Sequence, residues 1–123
     1  MIYELRQYEC LPGKLAAVVE RFRREVAPLW KEMEIQCLGF WTTAVGPNDQ
    51  TLHYILAWRS LADRDARWQT FVQDPRWQAA KANTELAGPL VARISNILMR
   101  PANVMEIVAE PAEQIFCAPP ADR

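Results

Sequence analysis

Two strand-like runs of β-branched and aromatic residues, packed into residues 38–59, limit most what this chain can fold into. They flank Gly46-Pro47-Asn48-Asp49-Gln50, a cluster of turn formers, so the stretch reads as a β-hairpin at the centre of a sheet. Pairing Val45 with Thr51 across the turn gives two faces. One carries Leu38, Phe40, Leu52, Tyr54, Leu56 and Trp58 and is the better core candidate. The other carries Trp41, Thr43, His53 and Ile55 beside the small pair Gly39 and Ala57, and mixes polar groups with vacant volume.

The remainder of the chain supplies partners for that hairpin. Ile2 to Glu9 reads as a first strand, closed by the breakers Pro12 and Gly13. From Lys14 to Met33, Leu15, Val18, Val19, Phe22, Val26, Leu29, Trp30 and Met33 recur at helical spacing. Glu20–Arg24 and Arg21–Glu25 are expected to pair on the polar side, and Pro28 to kink or break the helix one turn before Trp30. Ser60 and Asp74-Pro75 read as two helix starts. Leu61, Trp68, Phe71 and Val72 form the stripe of the first helix, and Trp77, Ala80 and Leu86 face inward from the second. After Gly88-Pro89, Arg93 to Arg100 reads as a last strand, and Val104 to Val108 has the composition for an additional edge strand. Residues 1–108 are read as the domain. Residues 109–123 are read as a Pro/Ala-rich tail, flexible or docked on a partner subunit.

The order β-α-β-β-α-β is that of the ferredoxin-like split, an α+β fold with a four-stranded antiparallel sheet and both helices on one face. The other face would expose an apolar patch that soluble monomers avoid. A homodimer with sheet packed on sheet is therefore expected.

A net charge of −1 argues against nucleic acid or an anionic membrane as a main partner, and no apolar run is long enough for a membrane span. The strand-like start leaves no room for a leader, so a cytoplasmic location is expected. Three scattered cysteines and one histidine offer no zinc set or disulfide framework, and neither metal nor cofactor is expected. The sequence contains no nucleophile elbow, phosphate loop or dinucleotide fingerprint.

The candidate ligand-binding residues are Arg6, Tyr8, Trp41, Thr43, His53 and Trp58. Arg6 and Tyr8 share a face of the first strand with Glu4. They read either as a fork for a carboxylate or as a Glu4–Arg6 or cross-subunit ion pair. His53 reads either as a general base or haem ligand oriented by Thr43, or as a histidine hydrogen-bonded within a sheet or interface. Of Trp41 and Trp58, on opposite faces, one should line a cavity while the other packs elsewhere. Trp30, Trp68 and Trp77 read as core. Arg59, Arg64 and Arg67 read as a solvated or ion-paired helix entrance, and Cys10 has nothing beside it to make a thiolate.

The chain resembles the NIPSNAP family of the dimeric α/β-barrel superfamily. The resemblance rests on Tyr3-Glu4-Leu5-Arg6-Gln7-Tyr8, Pro12-Gly13-Lys14, Gly39-Phe40-Trp41-Thr42-Thr43 and Gly46-Pro47. It continues through His53-Tyr54, Trp58, Ser60-Leu61, Arg64, Arg67, Asp74-Pro75, Trp77 and Ile97-Leu98-Met99-Arg100-Pro101. It runs from residue 1 to about 105, with an Asn-Asp-Gln run where the family tends to have a Leu-Asn pair. The resemblance implies little about activity, because the family is poorly characterised and its animal members are associated with mitochondria and vesicle-related roles. Superfamily relatives include cofactor-independent monooxygenases, isomerases and haem enzymes that often hold ligand between sheet and helices. The resulting expectation is a homodimeric domain binding a small organic molecule. The alternatives are a cofactor-independent enzyme, monooxygenase- or isomerase-like, or a structural and interaction module.

Overall fold

β1 (Ile2–Cys10) alternates buried and half-buried residues along its whole length, the period of a strand packed on one side. Its even-numbered residues meet the helices and its odd-numbered residues face the other way. The structure, a computed structural model, describes residues 1–107. After β1 come α1 (Leu15–Arg21), a π-helical turn (Phe22–Val26) and α2 (Ala27–Glu32). The strands β2 (Gln36–Thr42) and β3 (Thr51–Trp58) follow, then α3 (Leu61–Gln73), α4 (Pro75–Thr84) and β4 (Val91–Met99). Every strand pairing is antiparallel and the order across the sheet is β2-β3-β1-β4, the ferredoxin-like arrangement. The hairpin expected at the centre is therefore half central: β3 is interior, but β2 is an edge.

The core lies on the even face. Leu52, Tyr54, Leu56 and Trp58 of β3 pack against Val18, Phe22, Val26, Leu29 and Trp30, with Phe71 arriving from α3. Burying each large apolar side chain contributes about 1.5–3 kcal/mol. Trp68 and Trp77 pack against this cluster part-buried. Leu61, Val72 and Leu86 do not join it; all three are exposed, the last because the chain has left α4 before reaching it.

The two helix starts are capped as read: Ser60 Oγ accepts from the Asp63 amide at 3.0 Å and Asp74 Oδ1 from the Arg76 amide at 2.7 Å. At Pro28 the helix is accommodated rather than broken. Proline lacks an N–H and its ring crowds the carbonyl four residues back. The preceding turn widens, with the Ala27 amide reaching Phe22 O, and helical structure resumes. The widening begins next to Arg21 and undoes the expected Arg21–Glu25 pair. Arg21 is instead buried, with Nη1 2.9 Å from Glu85 and its guanidinium over the Trp77 ring. Glu20–Arg24 does form, at 3.7 Å.

The hairpin register also differs from the expectation. Thr42 pairs with Leu52 and Trp41 with His53, two residues from the Val45–Thr51 alignment. Residues 43–50 are consumed by the loop: Asn48 Oδ1 accepts from the Gln50 amide at 2.8 Å, and Gly46 sits so close to Thr43 that a Cβ there would meet its methyl at 2.8 Å. An even shift preserves faces, so the assignment of Phe40, Tyr54 and their neighbours to the core side stands. A bulge between Cys37 and Gly39 interrupts β2, so Cys37, rather than Leu38, lies opposite Leu56. The Trp41 indole folds back over Gly39, where φ is +157° and any Cβ would lie 3.0 Å from the ring. Space expected to be vacant beside His53 is thus partly filled by Trp41.

Residues 104–107 form no strand, contrary to the expected extra edge; Val108 and the tail of residues 109–123 lie outside the described residues. Among the described residues no helix is long and apolar enough to cross a membrane.

Candidate functional site

The strand period and the sheet order divide the six candidate residues into two groups. Arg6, Tyr8 and Trp58 lie on the helix side; Trp41, Thr43 and His53 lie on the open side. No single site unites them.

On the helix side the organising group is Glu4, which is fully buried. Its Oε1 accepts from Trp58 Nε1 at 3.0 Å and Arg64 Nε at 3.2 Å. Its Oε2 accepts from Arg6 Nη1 at 3.0 Å, Arg64 Nη2 at 3.0 Å and Asn96 Nδ2 at 2.8 Å. Burial opposes the charge of this carboxylate, but the hydrogen bonds from Arg64, Asn96 and Arg6 outweigh it and hold the pKa below its ordinary value. A carboxylate with five donors is a fixed counter-ion, with no lone pair left over for general-base work.

Arg6 continues the network. Its Nε donates to the Tyr54 hydroxyl at 2.8 Å, and Tyr54 donates to the Tyr8 hydroxyl at 3.2 Å. Burial, reinforced by Tyr8, pushes the Tyr54 hydroxyl well above its ordinary pKa, so it stays a neutral link. The guanidinium lies 4.4 Å from the Trp68 ring centroid, a cation–π contact worth about 1–2 kcal/mol when this well covered. The Tyr8 ring also faces the guanidinium, 5.8 Å from its centroid, so the two hydroxyls and the cation form one cluster. Arg6 and Arg64 share the Glu4 carboxylate, and Arg64 also reaches the exposed Asp65 Oδ1 at 3.2 Å.

The flank of this network is open. Ile94, Asn96 and Leu98 of β4 lie opposite Tyr8, Arg6 and Glu4, on the helix side of the sheet. The helices α1 and α3 nevertheless pack over β3 rather than over β4. Ile94 is consequently 48% and Leu98 42% exposed. The result is a part-exposed apolar flank on β4, next to the strand that carries the buried Arg6.

The open side is organised differently. The Gln7 amide donates to His53 Nδ1 at 3.1 Å, so the ring proton sits on Nε2, which donates to Thr43 Oγ1 at 2.9 Å. Thr43 orients His53 as expected, but both ring nitrogens are engaged. These residues, with Glu9, Asn48 and Thr51, line a shallow recess of 570 Å³. Trp41 leads to a second recess of 840 Å³ along the β2 edge. Trp58, its N–H fixed on Glu4, packs in the core and also borders a recess of 300 Å³ with Gln36 and Arg59, so both members of the pair reach a recess.

Arg64 and Arg67 are ion-paired, to Glu4 at 3.0 Å and to Asp63 at 2.8 Å. Sequence reasoning grouped Arg64 with a helix entrance and missed Asn96 and Tyr54; only the cross-strand register could have found them. Burial pushes the Cys37 thiol up to about 11 and raises Cys10 as well, so neither is a thiolate at neutral pH. No group of three or more His, Cys, Asp or Glu poised for a metal ion occurs among the described residues.

A family model described as NIPSNAP matches residues 3–105. Among solved structures, an uncharacterized NIPSNAP domain protein from Burkholderia xenovorans aligns at 20% identity with TM-score 0.74, over 87% of this chain and all of that one. A NIPSNAP family protein with unknown function from Agrobacterium tumefaciens aligns at 27% identity and TM-score 0.73, over 85% and 91%. At the level of the fold, a putative antibiotic biosynthesis monooxygenase from Nitrosomonas europaea aligns at 12% identity and TM-score 0.58, over 83% and 99%. None of the curated proteins matches. A match over residues 3–105 spans all four strands but for Ile2, every helix and the Glu4–Arg6 network, and the chain belongs to the NIPSNAP family.

Proposed function

We propose that this chain is a homodimeric binding domain for a small organic anion with an apolar body, held against the exposed flank of β4 beside the Arg6–Tyr8 cluster. The observation that carries the reading is the Arg6–Tyr8 end of the buried network. A guanidinium and a phenol hydroxyl lie together in strands β1 and β3, and the neighbouring strand carries the part-exposed apolar residues Ile94 and Leu98. A carboxylate suits the guanidinium and the hydroxyl, and an apolar tail suits the exposed flank. His53 is excluded from this role because both its nitrogens are occupied on the far side of the sheet.

The decisive measurement is thermal denaturation with a panel of hydrophobic monocarboxylates against their primary amides. The acids should raise the midpoint, by an amount worth about 2.7 kcal/mol at a hundred times Kd, and the amides should not. Tyr8→Phe should weaken binding about tenfold while leaving the fold intact. Equal responses to acids and amides, or no response to either, would overturn the reading.

The dimer rests on the open face of the sheet. Ile97 is 54% and Trp41 50% exposed there, with Tyr3, Leu5 and Ile55 between them. A second copy is the economical cover for such a face. Light scattering at micromolar concentration should give twice the chain mass, and Leu5→Arg should halve it; a monomeric wild-type chain would sink the proposal. Free thiols at Cys10 and Cys37 suit a reducing compartment, which supports a cytoplasmic setting.

A further inference from the structure

Nearly every arginine among the described residues stands beside a carboxylate. Arg6, Arg21, Arg23, Arg24, Arg64, Arg67, Arg76 and Arg93 each pair with an Asp or Glu. Arg59 and Arg100 are exposed and pair with none among the described residues. Arg59 is tied there only through its backbone, whose amide donates to Asp63 Oδ2 at 3.2 Å. The other oxygen of Asp63 is held by Arg67 at 2.8 Å.

The sheet brings these two arginines to one place. Trp58 pairs with Ile2 and Met99 with Tyr3, so Arg59 and Arg100 follow β3 and β4 on either side of the start of β1. Two strand spacings separate them, about 10 Å, a gap that two long side chains can close on one ion. Both border a single recess of 600 Å³. The exposed Leu61 and the half-buried Pro101 give that recess an apolar side. Asn103, whose φ of +61° turns the chain after β4, borders it as well.

Two like charges over one recess repel each other, and neither of these ties one element to another. An anion shared between them turns the repulsion into attraction. The chemistry of the forks selects the anion. A carboxylate presents two oxygens and one charge, enough for one guanidinium. A phosphate monoester carries about two negative charges at neutral pH and three acceptor oxygens, which suits two forks at once.

We propose that Arg59 and Arg100 form a binding site for the phosphate of a small phosphomonoester, with its organic part against Leu61 and Pro101. The site goes beyond the carboxylate reading, since it uses neither Arg6 nor Tyr8 and lies at the end of the sheet.

The test is isothermal titration of the full chain with phenyl phosphate at low salt, with phenol as the uncharged control. One phenyl phosphate should bind per chain, and phenol should give no binding. Arg59→Gln and Arg100→Gln should each lower the affinity about tenfold while keeping the urea midpoint of the wild type, because neither guanidinium has a partner to lose. Arg24→Gln removes the same charge from another exposed position and should leave the affinity unchanged. An equal loss in Arg24→Gln would reduce the attraction to net charge and overturn the site, as would a wild type that does not bind phenyl phosphate. Binding that appears only in Glu110→Gln/Glu113→Gln would assign the two arginines to carboxylates of the same chain, against the proposal. Tyr8→Phe, which probes the carboxylate reading, should leave phenyl phosphate affinity unchanged; a tenfold loss there would place the phosphate on the β4 flank instead.

Discussion

The two polar groups on either side of β1 are built from similar parts and do opposite things. On the helix side Glu4, Arg6, Arg64, Tyr54, Tyr8 and Asn96 form a mostly buried network gathered on one carboxylate. On the open side Gln7, His53 and Thr43 balance one another, each hydrogen bond using the group the next one leaves. Residue chemistry alone marks His53, the one histidine of the chain, as a candidate functional group beside a structural reading. Geometry favours Arg6. A histidine with both nitrogens engaged is a structural tie, whereas the buried Arg6 lies across from a β4 strand whose apolar residues are part-exposed.

The comparison breaks most visibly at Glu4. Replacing it in Glu4→Gln leaves Arg6 without its counter-ion and Arg64 with only the exposed Asp65, and breaking a buried pair from one side costs about 3–5 kcal/mol. Urea denaturation at pH 7 should show that loss; a cost under about 1 kcal/mol would mean that water reaches the network. The same group sets an acid limit. Its folded pKa lies below the unfolded value of about 4.3, so its contribution is fully present above that pH. The contribution falls away as pH drops through the folded pKa, where the native carboxylate takes up a proton. The stability difference between wild type and Glu4→Gln should therefore be constant near neutrality and shrink below pH 4.

His53 should give the smaller response that a satisfied, half-buried tie predicts. His53→Gln removes two neutral hydrogen bonds whose partners can turn to water, at about 1 kcal/mol. It should not alter the affinity of any carboxylate found to bind. A tenfold loss of affinity in this variant would move the site to the other face and reverse the comparison.

How much of this was legible beforehand follows from the distance over which each signal acts. The alternation in β3, the caps at Ser60 and Asp74 and the disturbance at Pro28 are local, and each is found where the sequence places it. The Glu4–Arg6 pair was readable because its members stand two apart on one strand. Arg64 and Asn96 reach Glu4 from 60 and 92 residues away, and nothing local marks them. The hairpin register depended on how many residues the loop absorbs, set by the Asn48 turn and the contact of Gly46 with Thr43. Because the error was even, the faces survived it; an odd error would have put His53 in the core.

The smallest expected effect sharpens the comparison from outside. Arg93 and Glu9 pair between β4 and β1, 3.1 Å apart, on the open face, in the same two strands that carry Asn96 and Glu4. Here the guanidinium is 72% exposed rather than sunk in the core. Pairs of this kind contribute about 0.2–1 kcal/mol and are screened by salt, since little desolvation sharpens the attraction. Arg93→Ala should therefore cost well under what Glu4→Gln costs, and the cost should vanish by 1 M NaCl, measured by denaturation at two salt concentrations. The Glu4→Gln loss should persist in that salt, because a buried charge pair is beyond the reach of screening ions. An Arg93→Ala cost that stayed large in high salt would show that the pair is itself buried, so that a second copy covers this end of the sheet as well as its apolar middle.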